Sequence, residues 1–303
     1  MAKTSFTGPV RSKEGFKIYN IADSTGVDAD RTVHDLGIKD TRRYYLEEYF
    51  NHLPGINGDL ASTTEATNTP VNRSFEILGT NHTSALATYS ATVAGMTITT
   101  AGADQDRMIV APHLDTKQGA WANTKWGTEN YVHWECGIRT SSAIDNQKIW
   151  AGLKLTNDQL PQTDANQAYF YFATDATNGQ ALSTYTPLYF IYSVAGTDYL
   201  TNTGITVAAS TNYHLKIKID GDRKMEIFVN GVQYGVSQTA CTTFDGSTSV
   251  TGTTQSDIND KTQKSVAMTD DIDLIPYIGI EAGDGAAAAL DVQFEAMSRL
   301  IFE

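Results

Sequence analysis

Residues 213–236, YHLKIKIDGDRKMEIFVNGVQYGV, decide the fold class of this chain. Within residues 213–219 apolar and polar side chains alternate strictly, which is the period of a strand with one buried face. The alternation returns in residues 224–229, after a polar turn. Asn230 and Gly231 then form a dipeptide typical of a type I′ hairpin, because that turn needs positive φ at both positions. The stretch predicts an antiparallel meander of three strands.

Beyond this meander, the chain from residue 84 onward shows further segments that are typical of strands. Short segments rich in β-branched and aromatic residues are bounded by Gly, Asn, Asp or Pro, and they cover residues 88–100, 107–111, 131–140, 148–155, 167–173 and 188–194. Short strands at regular spacing are typical of sandwiches and barrels. We therefore expect an all-β fold, an antiparallel sandwich over residues 84–303 that includes a long polar loop at 237–271.

Composition narrows the class of partner. The chain has 303 residues, and its 22 basic and 35 acidic side chains give a formal charge of −13. Nucleic-acid binding needs clustered Lys and Arg, so no nucleic-acid partner is expected. No stretch approaches the length of an apolar membrane span, and the first residues lack the apolar segment of a secretory signal, so neither a membrane partner nor export is expected. Cys136 and Cys241 are expected to be free thiols.

The N-terminal part of the chain differs from the rest. Residues 1–39 mix Gly, Pro, Ser and charge with isolated apolar side chains, which indicates an extended arm or a flexible terminus. Tyr45, Tyr49 and Leu53 then recur at i, i+4 spacing, which predicts one short helix followed by a linker within residues 40–83. Its apolar stripe either packs on the sandwich or docks on another protein.

The predicted strands also resemble a known family. The sequences ECGIR at 135–139, WAGL at 150–153, MEIFVNGV at 225–232 and PYIGI at 276–280 occur in this order. Together they resemble the strands of a concanavalin A-like, laminin-G-type jelly roll. The resemblance implies an antiparallel jelly-roll sandwich, a fold that hosts lectins, glycosidases, adhesion modules and viral shell components.

A second resemblance lies in the first sixteen residues, MAKTSFTGPVRSKEGF, which are similar to the opening of structural proteins of tailed bacteriophages. It implies a virion protein on the phage head surface, a decoration or cement protein that folds in the bacterial host cytoplasm. Its partners would be the major capsid protein and neighbouring copies of itself, as a trimer. The side chains expected to dock on the capsid are the spaced apolar and aromatic residues Phe6, Pro9, Val10, Phe16, Ile18, Tyr45 and Tyr49.

The sequence contains no recognisable catalytic motif. Glycosidases of this fold carry an E-x-D-x-x-E-like motif on one strand, and none is present. Asp291 and Glu295 are the nearest pair; on one strand face they would lie about 13 Å apart, too far for a retaining or inverting mechanism. No G-x-S-x-G elbow and no H-x-x-x-H or H-E-x-x-H spacing occurs. We therefore expect no catalytic residue, no metal and no cofactor, and the chain is predicted not to be an enzyme.

An alternative function is a lectin-like module of a phage fibre or appendage that recognises host glycans. Exposed aromatic side chains flanked by amides and carboxylates are the usual means of binding a sugar. The candidate glycan-binding residues are Trp121, Trp126, Tyr185, Tyr199 and Tyr234.

Overall fold

The computed structural model of the protein describes residues 43–56, 72–112, 120–121, 124–156, 159, 164–174, 187–241, 258–283 and 285–301. Within these ranges the chain forms strands β1–β18, one 3₁₀ turn at Ser84–Leu86 and no α-helix. No helix of this part of the chain is long and apolar enough to cross a membrane.

The strands are bounded as follows. The first nine are β1 (Arg43–Glu48), β2 (Pro54–Ile56), β3 (Asn72–Leu78), β4 (Ala87–Tyr89), β5 (Met96–Thr99), β6 (Arg107–Pro112), β7 (Ala120–Trp121), β8 (Thr124–Lys125) and β9 (His133–Thr140). The other nine are β10 (Gln147–Lys154), β11 (Gln167–Ala173), β12 (Pro187–Val194), β13 (Thr197–Thr206), β14 (Asn212–Ile219), β15 (Met225–Val229), β16 (Val232–Tyr234), β17 (Ile275–Ala282) and β18 (Ala289–Leu300).

Two eight-stranded sheets face each other. Sheet I has the order β16-β15-β14-β9-β18-β5-β4, with β1 beside the second half of β18. Sheet II has the order β13-β12-β11-β10-β17-β6-β3-β2, and β7 pairs with β8 separately. The pairings are antiparallel except for that of β2 with β3. This is the antiparallel jelly-roll sandwich of the concanavalin A-like type, so the predicted fold class is confirmed.

The meander that suggested the fold class is confirmed as β14, β15 and β16 in sheet I. Asn230 has φ of 51° and Gly231 has φ of 81°, as a type I′ turn requires. Tyr213, Leu215 and Ile217 point into the sandwich and are buried. The alternate side chains of β14 therefore lie on the outward face of sheet I.

The core lies between the two sheets. Large side chains from both sheets are almost fully buried there, among them Trp126, Trp134, Phe170 and Phe190. Ring contacts link neighbouring strands; the centroids of Phe170 and Phe190 are 5.3 Å apart. Burying one such side chain contributes roughly 1.5–3 kcal/mol, so this layer holds the sheets together.

The predicted short helix is wrong, because its segment forms strand β1 instead. β1 pairs antiparallel with β18, with Arg43 opposite Leu300 and Glu48 opposite Glu295. β18 is twelve residues long and β5 pairs only with its first part, so its remaining edge is free to pair with another strand. Strands β2 and β3 join sheet II. The predicted linker at 40–83 thus contributes strands to both sheets, and the sandwich begins before residue 84.

The predicted surface loop at 237–271 is packed where it is described. Residues 242–257 lie outside the described part, but residues 258–271 run beside β15. The Ser265 backbone nitrogen donates to the carbonyl of Met225, and that of Met268 donates to the carbonyl of Arg223. Ser265 and Met268 are buried. This part of the loop therefore closes one edge of the sandwich.

A β-bulge in β18 changes which side chains face outward. The register against β9 shifts between Val292 and Phe294. Before the bulge, Asp291 points outward and accepts a hydrogen bond from the Thr97 hydroxyl; after it, Glu295 points into the core. The expectation that Asp291 and Glu295 share a strand face is therefore wrong. The extra residue of the bulge reverses the alternation.

Candidate functional site

The outward face of sheet I carries a row of aromatic side chains. His214 of β14, Gly137 of β9 and Phe294 of β18 are consecutive partners across the sheet. The chain leaves β1 beside β18, which places Tyr49 next to Phe294. The ring centroids of His214 and Phe294 are 5.7 Å apart, and those of Phe294 and Tyr49 are 6.1 Å apart. We call Tyr49, Phe294 and His214 the aromatic platform.

Gly137 gives the central ring its position. A β-carbon at residue 137 would stand 2.6 Å from Cε1 of Phe294 and 2.9 Å from Oε1 of Gln293. Such distances are shorter than van der Waals contact, so any other residue at position 137 would displace the ring or the amide. The absence of a side chain at this point allows Phe294 to lie across β9 towards His214.

The platform is open to solvent. Tyr49 is 51% exposed, and the side chain of His214 is 36% exposed. Phe294 is half-buried between them. Its ring is tilted by 37° against Tyr49 and by 57° against His214, so the surface is stepped rather than flat. The rings therefore offer stepped apolar area at the surface of sheet I.

Polar groups flank the platform on both sides. On one side, Nε2 of His214 lies 2.9 Å from Oε2 of the nearly buried Glu135. On the other side, the Gln293 amide nitrogen donates to Oδ1 of Asn212 at 2.8 Å. The platform therefore combines aromatic faces with a carboxylate, which accepts hydrogen bonds from hydroxyl groups, and two amides, which can accept or donate them.

Beyond the amides of Asn212 and Gln293, the next side chains on this face form an ion pair. Nη1 of Arg139 lies 3.6 Å from Oδ2 of Asp291. Asp291 also accepts hydrogen bonds from three hydroxyls, those of Ser90, Thr92 and Thr97, at 3.0, 2.6 and 2.5 Å. Four neighbours hold this carboxylate in place, so it acts as a fixed anion at the border of the platform.

Glu295, the other predicted carboxylate, lies inside the sandwich. It is fully buried, and its Oε1 accepts a hydrogen bond of 2.8 Å from Nε1 of Trp134. Burial raises the pKa of Glu295 to about 8, with a smaller contribution from the charge of Glu48. Burial likewise raises the pKa of the adjacent Cys136 thiol well above its usual range. These groups belong to the core and do not reach the platform.

The outward face of sheet II is also aromatic, but it is closed. Its rings are at most 3% exposed and comprise Trp150, Tyr169, Tyr171, Tyr189 and Tyr277. Buried charges border them: Nζ of Lys148 lies 2.5 Å from Oε1 of Glu281, which also pairs with Arg107. This face is a second buried layer, whereas the platform on sheet I is accessible to a ligand.

Of the five predicted glycan-binding residues, the three with described side chains each have their own packing contacts. Trp126 is fully buried in the core. Tyr199 stacks on Tyr192 with centroids 4.6 Å apart, and Tyr234 is half-buried with Nζ of Lys261 5.9 Å from its ring centroid. Trp121 lies in β7, where only the backbone is described, and Tyr185 lies outside the described residues.

The predicted capsid-docking residues are only partly described. Tyr45 is half-buried on β1, and Tyr49 belongs to the platform. The remaining five lie outside the described residues, namely Phe6, Pro9, Val10, Phe16 and Ile18. Docking on a capsid therefore stays a prediction.

Sequence reasoning missed the platform except for Tyr49. The alternation of 213–219 does place His214 on the outward face of its strand. Phe294 could not be found in this way, because simple alternation through β18 assigns it to the core and the bulge is not visible in the sequence. The partnership of Gly137 with Phe294 depends on strand register, which pairs residues more than 150 positions apart.

The chain has only distant similarity to known proteins. No family model matches the sequence, and no curated protein matches it. Among solved structures, peanut lectin is 10% identical with a TM-score of 0.45, over 86% of this chain and 99% of the lectin. Alginate lyase A1-II′ of polysaccharide lyase family 7 is 14% identical with a TM-score of 0.41, over 73% and 86% of the two chains. A glycosyl hydrolase family 16 protein from Mycobacterium smegmatis is 8% identical with a TM-score of 0.45, over 83% and 98%.

These matches correct one prediction. The prediction that the chain is not an enzyme is overturned, because the proteins with similar structures include alginate lyases and a glycosyl hydrolase. The fold is found in lectins and enzymes alike, and it assigns neither activity to this chain. Among the described residues, no group of three His, Cys, Asp or Glu side chains is arranged to hold a metal ion.

Proposed function

We propose that this protein binds glycans through the aromatic platform of sheet I. The observation that carries the proposal is the exposed row of Tyr49, Phe294 and His214 with polar groups on both sides. A pyranose ring has apolar C–H faces and a rim of hydroxyl groups. It therefore suits a surface on which aromatic faces lie between hydrogen-bonding groups.

Each part of the platform has a role in this proposal. The rings of Phe294 and Tyr49 stack against the C–H faces of the sugar and exclude water from them. The carboxylate of Glu135 accepts from a hydroxyl on one side, and the amides of Asn212 and Gln293 bind hydroxyls on the other. The hydrogen bonds that already join these groups limit their motion, which lowers the entropic cost of binding.

The test is glycan binding by the full chain and two variants. A glycan array first identifies ligands, and isothermal titration then compares Phe294→Ala with Tyr131→Ala. Tyr131 is also exposed, at 40%, but lies outside the platform, so it is a matched control. We expect Phe294→Ala to weaken binding at least tenfold, about 1.4 kcal/mol, and Tyr131→Ala to leave it unchanged. Equal affinities of the two variants would contradict the proposal.

The predicted role in a phage head remains a separate hypothesis. It rests on the sequence resemblance of the first sixteen residues, and it places the capsid contacts mainly in Phe6, Pro9, Val10, Phe16 and Ile18. Deleting residues 1–20 separates the two hypotheses. The deletion should abolish attachment to the capsid if these residues dock there, and it should leave binding of sugars to the platform intact.

A further inference from the structure

The basic side chains that border the platform are paired or buried. Arg139 is paired with Asp291 at 3.6 Å, and the imidazole of His214 faces Glu135 at 2.9 Å. Lys216 lies directly opposite Glu135 in the pairing of β9 with β14, and it is 2% exposed. Each of these three basic side chains therefore already has a carboxylate beside it, with which a ligand would have to compete.

The next cations along this face are also engaged. Lys218 holds its ammonium 4.6 Å above the ring of Phe228, in a cation–π contact. Arg43 donates to the Ser298 hydroxyl and to the carbonyls of Ser298 and Tyr131. These partners leave both cations charged, but neither cation lies next to the rings: Lys218 is four residues beyond His214 in β14, and Arg43 is six residues before Tyr49.

The net charge of the chain also disfavours the binding of acidic glycans. Its formal charge of −13 repels a polyanion at long range. Next to the rings, Glu135 and Asp291 already occupy the basic side chains that an acidic sugar would need as counter-charges. Hydroxyl groups, by contrast, donate to these carboxylates without any charge penalty.

From these contacts we infer that the platform selects neutral glycans, which are chains of uncharged pyranoses, and rejects glycans that carry uronate or sulfate groups. This inference rests on the proposed function, because it names the ligand class of the same site. The rings supply the contact area common to both classes of glycan, and the border, where basic side chains already face carboxylates, discriminates between them. Discrimination of this kind comes from the repulsion of the wrong ligand.

The first experiment measures binding of the full chain to two panels of polysaccharides at low ionic strength. The neutral panel contains glucans, xylan, galactan and mannan; the acidic panel contains alginate, hyaluronan and chondroitin sulfate. We expect a neutral glycan to bind at least tenfold more tightly than any acidic one, with Phe294→Ala weakening that binding. Tighter binding of an acidic glycan that is lost in Phe294→Ala would overturn the inference and leave the proposed function standing.

Binding of neither panel, or binding that is indifferent to Phe294→Ala, would overturn the proposed function itself and this inference with it.

A second variant tests the ion pair at the border of the platform directly. Asp291→Asn frees Arg139 from its counter-charge, so we expect affinity for an acidic glycan to rise at least fivefold. Asp270→Asn is the control, because it releases Arg223 from a 3.4 Å ion pair outside the platform. A gain in both variants, or in neither, would contradict the assigned role of Asp291.

Discussion

The phenyl ring of Phe294 lies directly over Gly137, at a distance that leaves no room for a β-carbon on residue 137. This contact joins two central strands of sheet I through their outward face. It also brings the ring of Phe294 within 5.7 Å of that of His214, measured between centroids. The platform therefore depends on one glycine in β9 and on one bulge in β18.

We expect Gly137→Ala to weaken glycan binding with little loss of stability. The new methyl group would meet the far ends of the Phe294 and Gln293 side chains, which can rotate away. Gly152→Ala is the counterpart, because its methyl group would meet the Ala168 carbonyl at 2.3 Å and Cα of Tyr169 at 2.4 Å. Thermal unfolding and titration calorimetry should show loss of affinity in the first variant and loss of stability, by about 1–3 kcal/mol, in the second.

Stability should fall as pH rises, because Glu295 is buried. Its folded pKa of about 8 exceeds the ordinary value of 4.5, so folding favours the protonated carboxyl. The contribution of Glu295 is therefore fully present below pH 4.5 and is lost as pH rises towards about 8. Glu295→Gln has no ionisable group at this position and should be the more stable protein at pH 9, by a few kcal/mol.

Urea unfolding between pH 5 and pH 9 measures this difference. The gain of Glu295→Gln over the parent chain should grow through that range and level off above pH 8. Asp270→Asn, which removes a carboxylate that is 69% exposed, is the control. A pH-independent gain in Glu295→Gln would show that Glu295 keeps an ordinary pKa in the folded protein.

A buried ion pair on sheet II and an exposed one beside β8 should contribute very differently to stability. Glu281 is buried between Lys148 and Arg107, so Glu281→Gln leaves two cations poorly compensated and should cost about 3–5 kcal/mol. Asp273→Asn breaks an ion pair of 3.4 Å to Lys125, whose side chain is 78% exposed, and should cost less than about 1 kcal/mol. Similar losses in denaturant unfolding of both variants would contradict the burial of the first site.

The strands were predictable where the alternation of side chains is strict. The meander of 213–236 was recognised because both its turns and its alternation are local in sequence. The segment of Tyr45 and Tyr49 was mistaken for a helix, because its apolar spacing fits i, i+4 as well as i, i+2. The segment is a strand because it pairs with the free edge of β18, about 250 residues later in the chain, and that pairing is not visible in the local sequence.

Most of the platform could not be predicted from the sequence either, because the outward position of Phe294 depends on a bulge. A bulge changes the facing of every later residue in its strand, and nothing in ALDVQFEAMSRL marks its position. Trp126 shows the opposite error: a tryptophan was taken for a surface residue although its neighbours bury it completely. Burial depends on contacts between the two sheets, and neither the composition nor the local alternation of side chains predicts those contacts.

The two cysteines should react differently with a thiol reagent. Cys136 is fully buried, and burial holds the pKa of its thiol well above the usual range. Cys241 is half-buried, with a pKa raised to about 11 by burial. In a spectrophotometric thiol assay at pH 8 we expect slow reaction of Cys241 and reaction of Cys136 only after unfolding. Rapid modification of Cys136 in the native protein would contradict its place in the core.

The most direct test of the glycan-binding proposal is an NMR titration of the full chain with the neutral oligosaccharide that binds best. With labelled aromatic rings, the proposal predicts contacts between sugar protons and the ring protons of Phe294 and Tyr49, together with shifts of His214. Saturable binding that leaves all three rings unperturbed, and perturbs Tyr199 or Tyr234 instead, would contradict it.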